Sequence, residues 1–147
     1  MLLLLILINS LLLFALLLFS ALTYQNLPKR IPIHFGLNGD ADGFSSKIFY
    51  WLLPILGLLF FSLFSTQAID LKSLKISDSL LKQNWFSDKE NIVILSINTF
   101  VLILFLEIQS SIYKVAKGKQ TKISKSVWIW TVVIIIVSLL LAILTNS

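Results

Sequence analysis

The sequence predicts an all-α membrane protein: four transmembrane helices, with a structured, motif-bearing loop between helices 1 and 2. Three observations predict it. Of 147 residues, 57% are hydrophobic and 13% charged, with a mean hydropathy of +0.92. That is more apolar surface than a water-soluble domain can hide. Four apolar runs approach or exceed the roughly 20 helical residues that a bilayer core requires. Between the first two lies IPIHFGLNGDADGFSSK, residues 31–47, which holds the only His and three of the five Gly of the chain.

The first run, about 2–22, carries no charge. It has no basic start, it is longer than the apolar part of a signal peptide, and Phe19-Ser20-Ala21 is a poor cleavage site, so a retained helix is expected. The second run, about 48–69, is also uncharged, with Pro54 near its start, where proline is tolerated. The third, about 91–113, contains one charge, Glu107, together with Asn98 and Gln109; the fourth, about 127–144, contains none. Tyr24, Tyr50, Trp51, Tyr113, Trp128 and Trp130 stand near the ends of these runs, as amphipathic rings do at headgroup level. The whole chain, 1–147, reads as a single integral membrane domain with its motif loop at 24–47.

Charge sets the expected orientation. The loops at 23–47 and 114–126 share one side and carry eight basic residues, against four on the other side, where they are diluted by Asp70, Asp78, Asp88 and Glu90. The excess places loops 23–47 and 114–126 in the cytoplasm. The net charge of +5 needs no nucleic-acid partner, because a Lys-rich loop lies naturally against anionic headgroups. Leu71, Leu74, Leu81 and Trp85 recur at helical spacing in the remaining loop, which suggests a short surface helix or an extension of helix 2.

Pro28 and Pro32 forbid a helix in the motif loop and push their neighbours extended. Ile31, Ile33, Phe35 and Leu37 alternate with Pro32, His34 and Gly36, the period of an extended segment with His34 on its polar face. Asn38-Gly39 and Asp42-Gly43 are turn dipeptides. Asn38, Asp40, Asp42 and Gly43 match the first half of a calcium loop, but the position of its bidentate Glu is Phe49, and one His without Cys makes a poor zinc set. No metal and no cofactor is expected.

Tyr24, Leu27-Pro28, Ile31-Pro32, His34-Phe35, Gly39, Asp42 and Lys47 fall in an order that resembles the domain of unknown function found in the immunity protein for the sporulation-delaying toxin of bacilli, and in many small bacterial membrane proteins. There, as here, the motif directly follows the first transmembrane helix. An Asn commonly follows the His-Phe pair in such proteins, and Gly36 stands in its place. This resemblance to the Sdp immunity-like family implies a multi-pass protein of the bacterial cell membrane with no enzymatic activity. Its partners would be the lipid bilayer and another membrane protein or a peptide, in an immunity or sensor role. The alternative is an accessory subunit of a larger membrane complex or transporter.

The candidate partner- or ion-binding residues are His34, Phe35, Gly39, Asp42, Lys47 and Glu107, with Tyr24, Pro28 and Pro32 as structural motif residues. His34, Asp42 and Glu107 are expected near one membrane face, where they either form a small polar cluster or serve structure alone. In the structural reading, Asp42 makes a turn or helix cap and Glu107 pairs with Lys114 or Lys47.

Overall fold

The computed structural model describes residues 1–68 and 88–146. Helix α1 spans Leu2–Tyr24, followed by strands β1 (Arg30–Phe35) and β2 (Ala41–Ser46), a 3-10 turn at Lys47–Trp51, and helices α2 (Leu52–Ala68), α3 (Asp88–Ala116) and α4 (Lys125–Asn146). The surface helix expected around Leu71, Leu74, Leu81 and Trp85 lies outside the described residues.

The chain is mostly helical, and three of its helical segments, Leu2–Tyr24, Lys47–Ser65 and Glu90–Ala116, are long and apolar enough to cross a membrane. The apolar stretch of α4 among the described residues, Lys125–Leu140, is shorter than that. The all-α expectation needs one correction, a two-stranded antiparallel sheet in the motif loop. Its cause is local. Prolines exclude helix from β1, and the Gly-rich segment after it turns the chain back on itself.

Each helix divides into an inner and an outer face. On α1 the outer residues Leu4, Leu7, Leu11, Phe14, Leu18 and Leu22 recur every three or four positions and are exposed, which suits acyl chains. Its inner stripe is Asn9, Leu13, Leu16 and Ser20. On α3 the buried stripe is Asn91, Leu95, Asn98, Leu102, Gln109 and Ile112. Helix α3 is the hub: it packs against α1, α2 and α4 and lies under β1. Leu13, Leu16 and Leu102 form a mid-bundle core, with Phe61 and Phe105 against it. A second core closes the loop end, where Leu27 and Ile31 join Tyr50 and Ile112.

In lipid the hydrophobic effect does not drive helices together, so cohesion comes from close packing and interior hydrogen bonds. Gly57 provides the close packing. A Cβ there would lie 3.2 Å from both Leu16 Cδ2 and Leu102 Cδ2 and 3.5 Å from Leu13 Cδ1, so α1, α2 and α3 meet at this point. Gly57→Ala needs only small shifts of leucine tips and should be tolerated. Gly57→Leu should destabilise the bundle by about 1–3 kcal/mol through overpacking. Unfolding titrations in mixed detergent micelles check both; equal stability of the two variants would disprove the close approach.

Candidate functional site

The hairpin is short and bulged. Arg30 pairs with Ser46, Ile31 with Ser45, Pro32 with Phe44, His34 with Gly43 and Phe35 with Ala41. That register leaves one extra residue on each strand, Ile33 on β1 and then Asp42 on β2. Bulges re-aim side chains. The first breaks the alternation read from sequence: Ile31 is buried and Phe35 partly buried, whereas Ile33 and Leu37 are exposed. The second frees Asp42 to reach across to His34, and His34 Nδ1 and Asp42 Oδ1 are hydrogen-bonded. Gly43 faces His34 so closely that a Cβ there would come within 2.8 Å of the His34 Cβ.

The tip is fixed from both sides. Gly36 N–H donates to the Asp40 carbonyl at 2.9 Å, Gly39 N–H to the Gly36 carbonyl at 2.8 Å, and Gly39 adopts φ +83°, a left-handed conformation that glycine takes without strain. Gly39 in turn accepts the N–H of Ile123 at 2.9 Å, while Lys122 Nζ reaches the Asn38 carbonyl at 3.2 Å and Asp40 Oδ2 at 3.4 Å. The hairpin and the α3–α4 loop are thus stitched together on one side of the molecule. The three polar residues of the apparent calcium loop do not converge: Asn38 and Asp40 hold the tip and Lys122, and Asp42 faces His34.

At the other end, Pro28 follows the last turns of α1, where Asn26 N–H and Leu27 N–H still reach back to Thr23 and Tyr24. Pro32 is buried opposite Phe44. Tyr24 packs on Trp51, ring centroids 5.7 Å apart, and carries Lys47 Nζ at 4.8 Å from its own centroid. The cap of the helical turn at Lys47–Trp51 is Ser46 and not Asp42, because the Asp42 carboxylate is committed to His34.

Glu107 stands apart from this group. Its Oε2 accepts from Ser126 Oγ at 2.7 Å in the first turn of α4; Ser126 Oγ lies 2.7 Å from Ser124 Oγ, and Ser124 N–H donates to Ser111 Oγ at 3.2 Å. A carboxylate at a helix N-terminus also opposes the positive end of the helix dipole. The predicted cluster of His34, Asp42 and Glu107 therefore separates into an exposed pair on the hairpin and a latch between α3 and α4. Neither Lys114 nor Lys47 pairs with Glu107, since the serines lie closer along α4.

Sequence reasoning named Asn98 and Gln109 but not the partners they meet inside the bundle. Gln109 Nε2 donates to the Tyr50 carbonyl and to Ser20 Oγ, each at 2.8 Å. The first bond has a clear origin. In a helix the Tyr50 carbonyl would accept the N–H four residues on, but that residue is Pro54, which has none. Tyr50 Oη lies 2.9 Å from Thr23 Oγ1, whose own proton goes to the Phe19 carbonyl at 2.6 Å. Further along, Asn98 Nδ2 donates to Asn9 Oδ1 at 3.2 Å, and Asn9 Nδ2 donates to the Leu95 carbonyl at 3.1 Å. Helix α1 contributes Ser20, Thr23 and Asn9 to these bonds. The signal that could have found the first was the spacing of four between Tyr50 and Pro54.

Fold and site define a small helical membrane protein with a hairpin between its first two helices. Residues 11–58, from within α1 through the hairpin into α2, match the family model of a domain of unknown function (DUF1648). All the predicted site residues except Glu107 fall inside that match. The chain matches no curated protein and no solved structure.

Two predictions follow from this geometry. Gln109→Leu should destabilise the bundle by about 1–2 kcal/mol, because it leaves the Tyr50 carbonyl unsatisfied in an apolar interior. In a Pro54→Ala background, which restores the helical N–H, that loss should shrink; a double-mutant cycle with no coupling would refute the link. On the hairpin, Gly43→Ala should push His34 off Asp42, which imidazole NMR shifts report directly; unchanged shifts would show that the pair does not depend on this glycine.

Proposed function

We propose that this chain is a non-enzymatic, partner-binding protein of the bacterial cell membrane, an immunity or sensor module of the Sdp immunity-like kind. In this reading it has four spans, α4 being the fourth, with loops 23–47 and 114–126 in the cytoplasm. The match of residues 11–58 to the domain model and the position of the motif within it support the family part of the reading. The observation that carries the functional part is the His34–Asp42 pair. Its side chains are 71% and 53% exposed, yet they sit on a hairpin braced by the α3–α4 loop and by the core beneath. An exposed pair of this kind contributes little to stability, about 0–1 kcal/mol, so its position suits recognition better than folding. One His and no Cys also offer little for nucleophilic or metal-assisted chemistry.

A second reading, an accessory subunit, draws on the outer faces of α1, α2 and α4. These expose continuous Leu, Ile and Phe surfaces that suit other transmembrane helices as well as lipid. Extraction from native membranes in mild detergent, followed by mass determination of the intact particle, separates the two. A lone monomer or dimer fits the immunity or sensor role, and a stoichiometric complex fits the subunit. His34→Ala and Asp42→Ala should insert and fold normally but lose the partner. If both insert and bind every partner as the parent chain does, the hairpin is not the recognition surface.

A further inference from the structure

The base of the hairpin concentrates positive charge, and neither ion pair seen among the described residues involves it. Lys47 N–H donates to the Lys29 carbonyl at 3.0 Å, and the next pair of the register is Arg30 with Ser46. Lys29 and Lys47 thus stand opposite each other across the hairpin's base, where like charges repel, and Arg30 is the next residue along the chain from Lys29. Asp42 bonds to His34 and Asp40 pairs with Lys122, so both acids of the hairpin are engaged toward its tip. Lys29 and Arg30 are exposed. Arg30 Nη2 donates to the Phe44 carbonyl at 3.3 Å, which orients the guanidinium and leaves most of its five N–H donors for another acceptor. Lys47 is positioned by the Tyr24 ring.

We propose that Lys29, Arg30 and Lys47 form a binding site for the phosphate of an anionic phospholipid headgroup. Depth selects this ligand. The three residues lie between the end of α1 and the start of the span Lys47–Ser65, beside the Tyr24–Trp51 aromatic pair that marks the headgroup level. A lipid phosphodiester at that level accepts from a guanidinium fork and from two ammonium groups, and it offsets their mutual repulsion. The site is independent of which protein or peptide the outer face of the hairpin meets.

The test uses the full chain in nanodiscs of phosphatidylcholine containing a minority of phosphatidylglycerol. Native mass spectrometry then counts the phosphatidylglycerol retained on the released protein. The parent chain should retain it, and Lys29→Gln/Arg30→Gln/Lys47→Gln should lose affinity about five-fold per cation removed. Lys114→Gln/Lys117→Gln/Lys119→Gln removes the same charge from the neighbouring loop and should lower retention much less than the hairpin triple does. Arg30→Gln alone, an exposed change, should still show a single five-fold step should the triple variant misfold. Equal loss in both triple variants means diffuse attraction to the leaflet and overturns the site. So does undiminished retention in the hairpin variants.

Discussion

The carbonyl of Tyr50 is the group around which the rest of the bundle is arranged. Inside a bilayer every backbone polar group must find a partner within the protein. Pro54 removes the usual one, and it does so where the hairpin hands the chain to α2. Gln109 answers from α3, and with the other proton of the same amide nitrogen it holds Ser20 on α1. One side chain therefore ties three helices at the end that carries the hairpin. The orientation of β1 and β2 depends on this, because Tyr50 also belongs to the core that packs Ile31 and Leu27 against Ile112.

A second tie lies deeper along the same two helices, at Asn9 and Asn98. About three turns, mostly of Leu, Ile and Phe, which can slide over one another with little penalty, separate it from the Gln109 cluster on α3. Two polar links on one interface fix register as apolar packing cannot, since a slip of one residue would strand amides in hydrocarbon. Gly57 completes the arrangement by letting α2 approach the α1–α3 seam closely. Helix α4 is attached differently, through the Glu107–Ser126 latch and the hairpin's hold on Lys122 and Ile123, both near its first turn.

Much of this was open to a reader of the sequence, for physical reasons that can be named. Apolar runs of bilayer length declare their helices, and Pro28, Pro32 and the glycines declare a loop that is not helical. The expected extended segment at residues 31–37 is β1 in its first half, Ile31 to Phe35. Its strand partner was not legible, because Ala41–Ser46 has no alternation of apolar and polar residues to betray it. The bulges were hidden for the same reason: Ile33 looks like a core residue by period, and only pairing shows it to be the extra one. Asp42 and His34 were both singled out, but their separation of eight residues does not say that they touch. Glu107 was seen as an outlier in a greasy helix, while its partner Ser126 looked like any serine at a helix start. Asn9, surrounded by leucines, was the quietest of all, since one amide hardly alters the hydropathy of its run.

The polar groups of the protein fall into two kinds that should be kept apart in thinking about its action. Those inside the bundle bond mainly to one another, although Asn98 Oδ1, Gln109 Oε1 and Ser65 Oγ are buried without a partner among the described residues, and losing a bonded one strands its partner, so they constrain the fold. Those on the hairpin are open to solvent, where an ion pair is worth little to stability, yet the backbone around them is held by Gly36, Gly39 and the α3–α4 loop. Rigid support beneath weakly stabilising polar groups is an arrangement that folding alone does not require. In the proposed reading, a partner meeting the His34–Asp42 face would find it already ordered and need not supply the entropy of ordering it. Because the hairpin's base continues directly into the span Lys47–Ser65, anything that engages its outer face also bears on the turn where Tyr50 and Gln109 meet. The outer face of the hairpin and the helices of the bundle are therefore adjacent along the chain, separated by a single 3-10 turn.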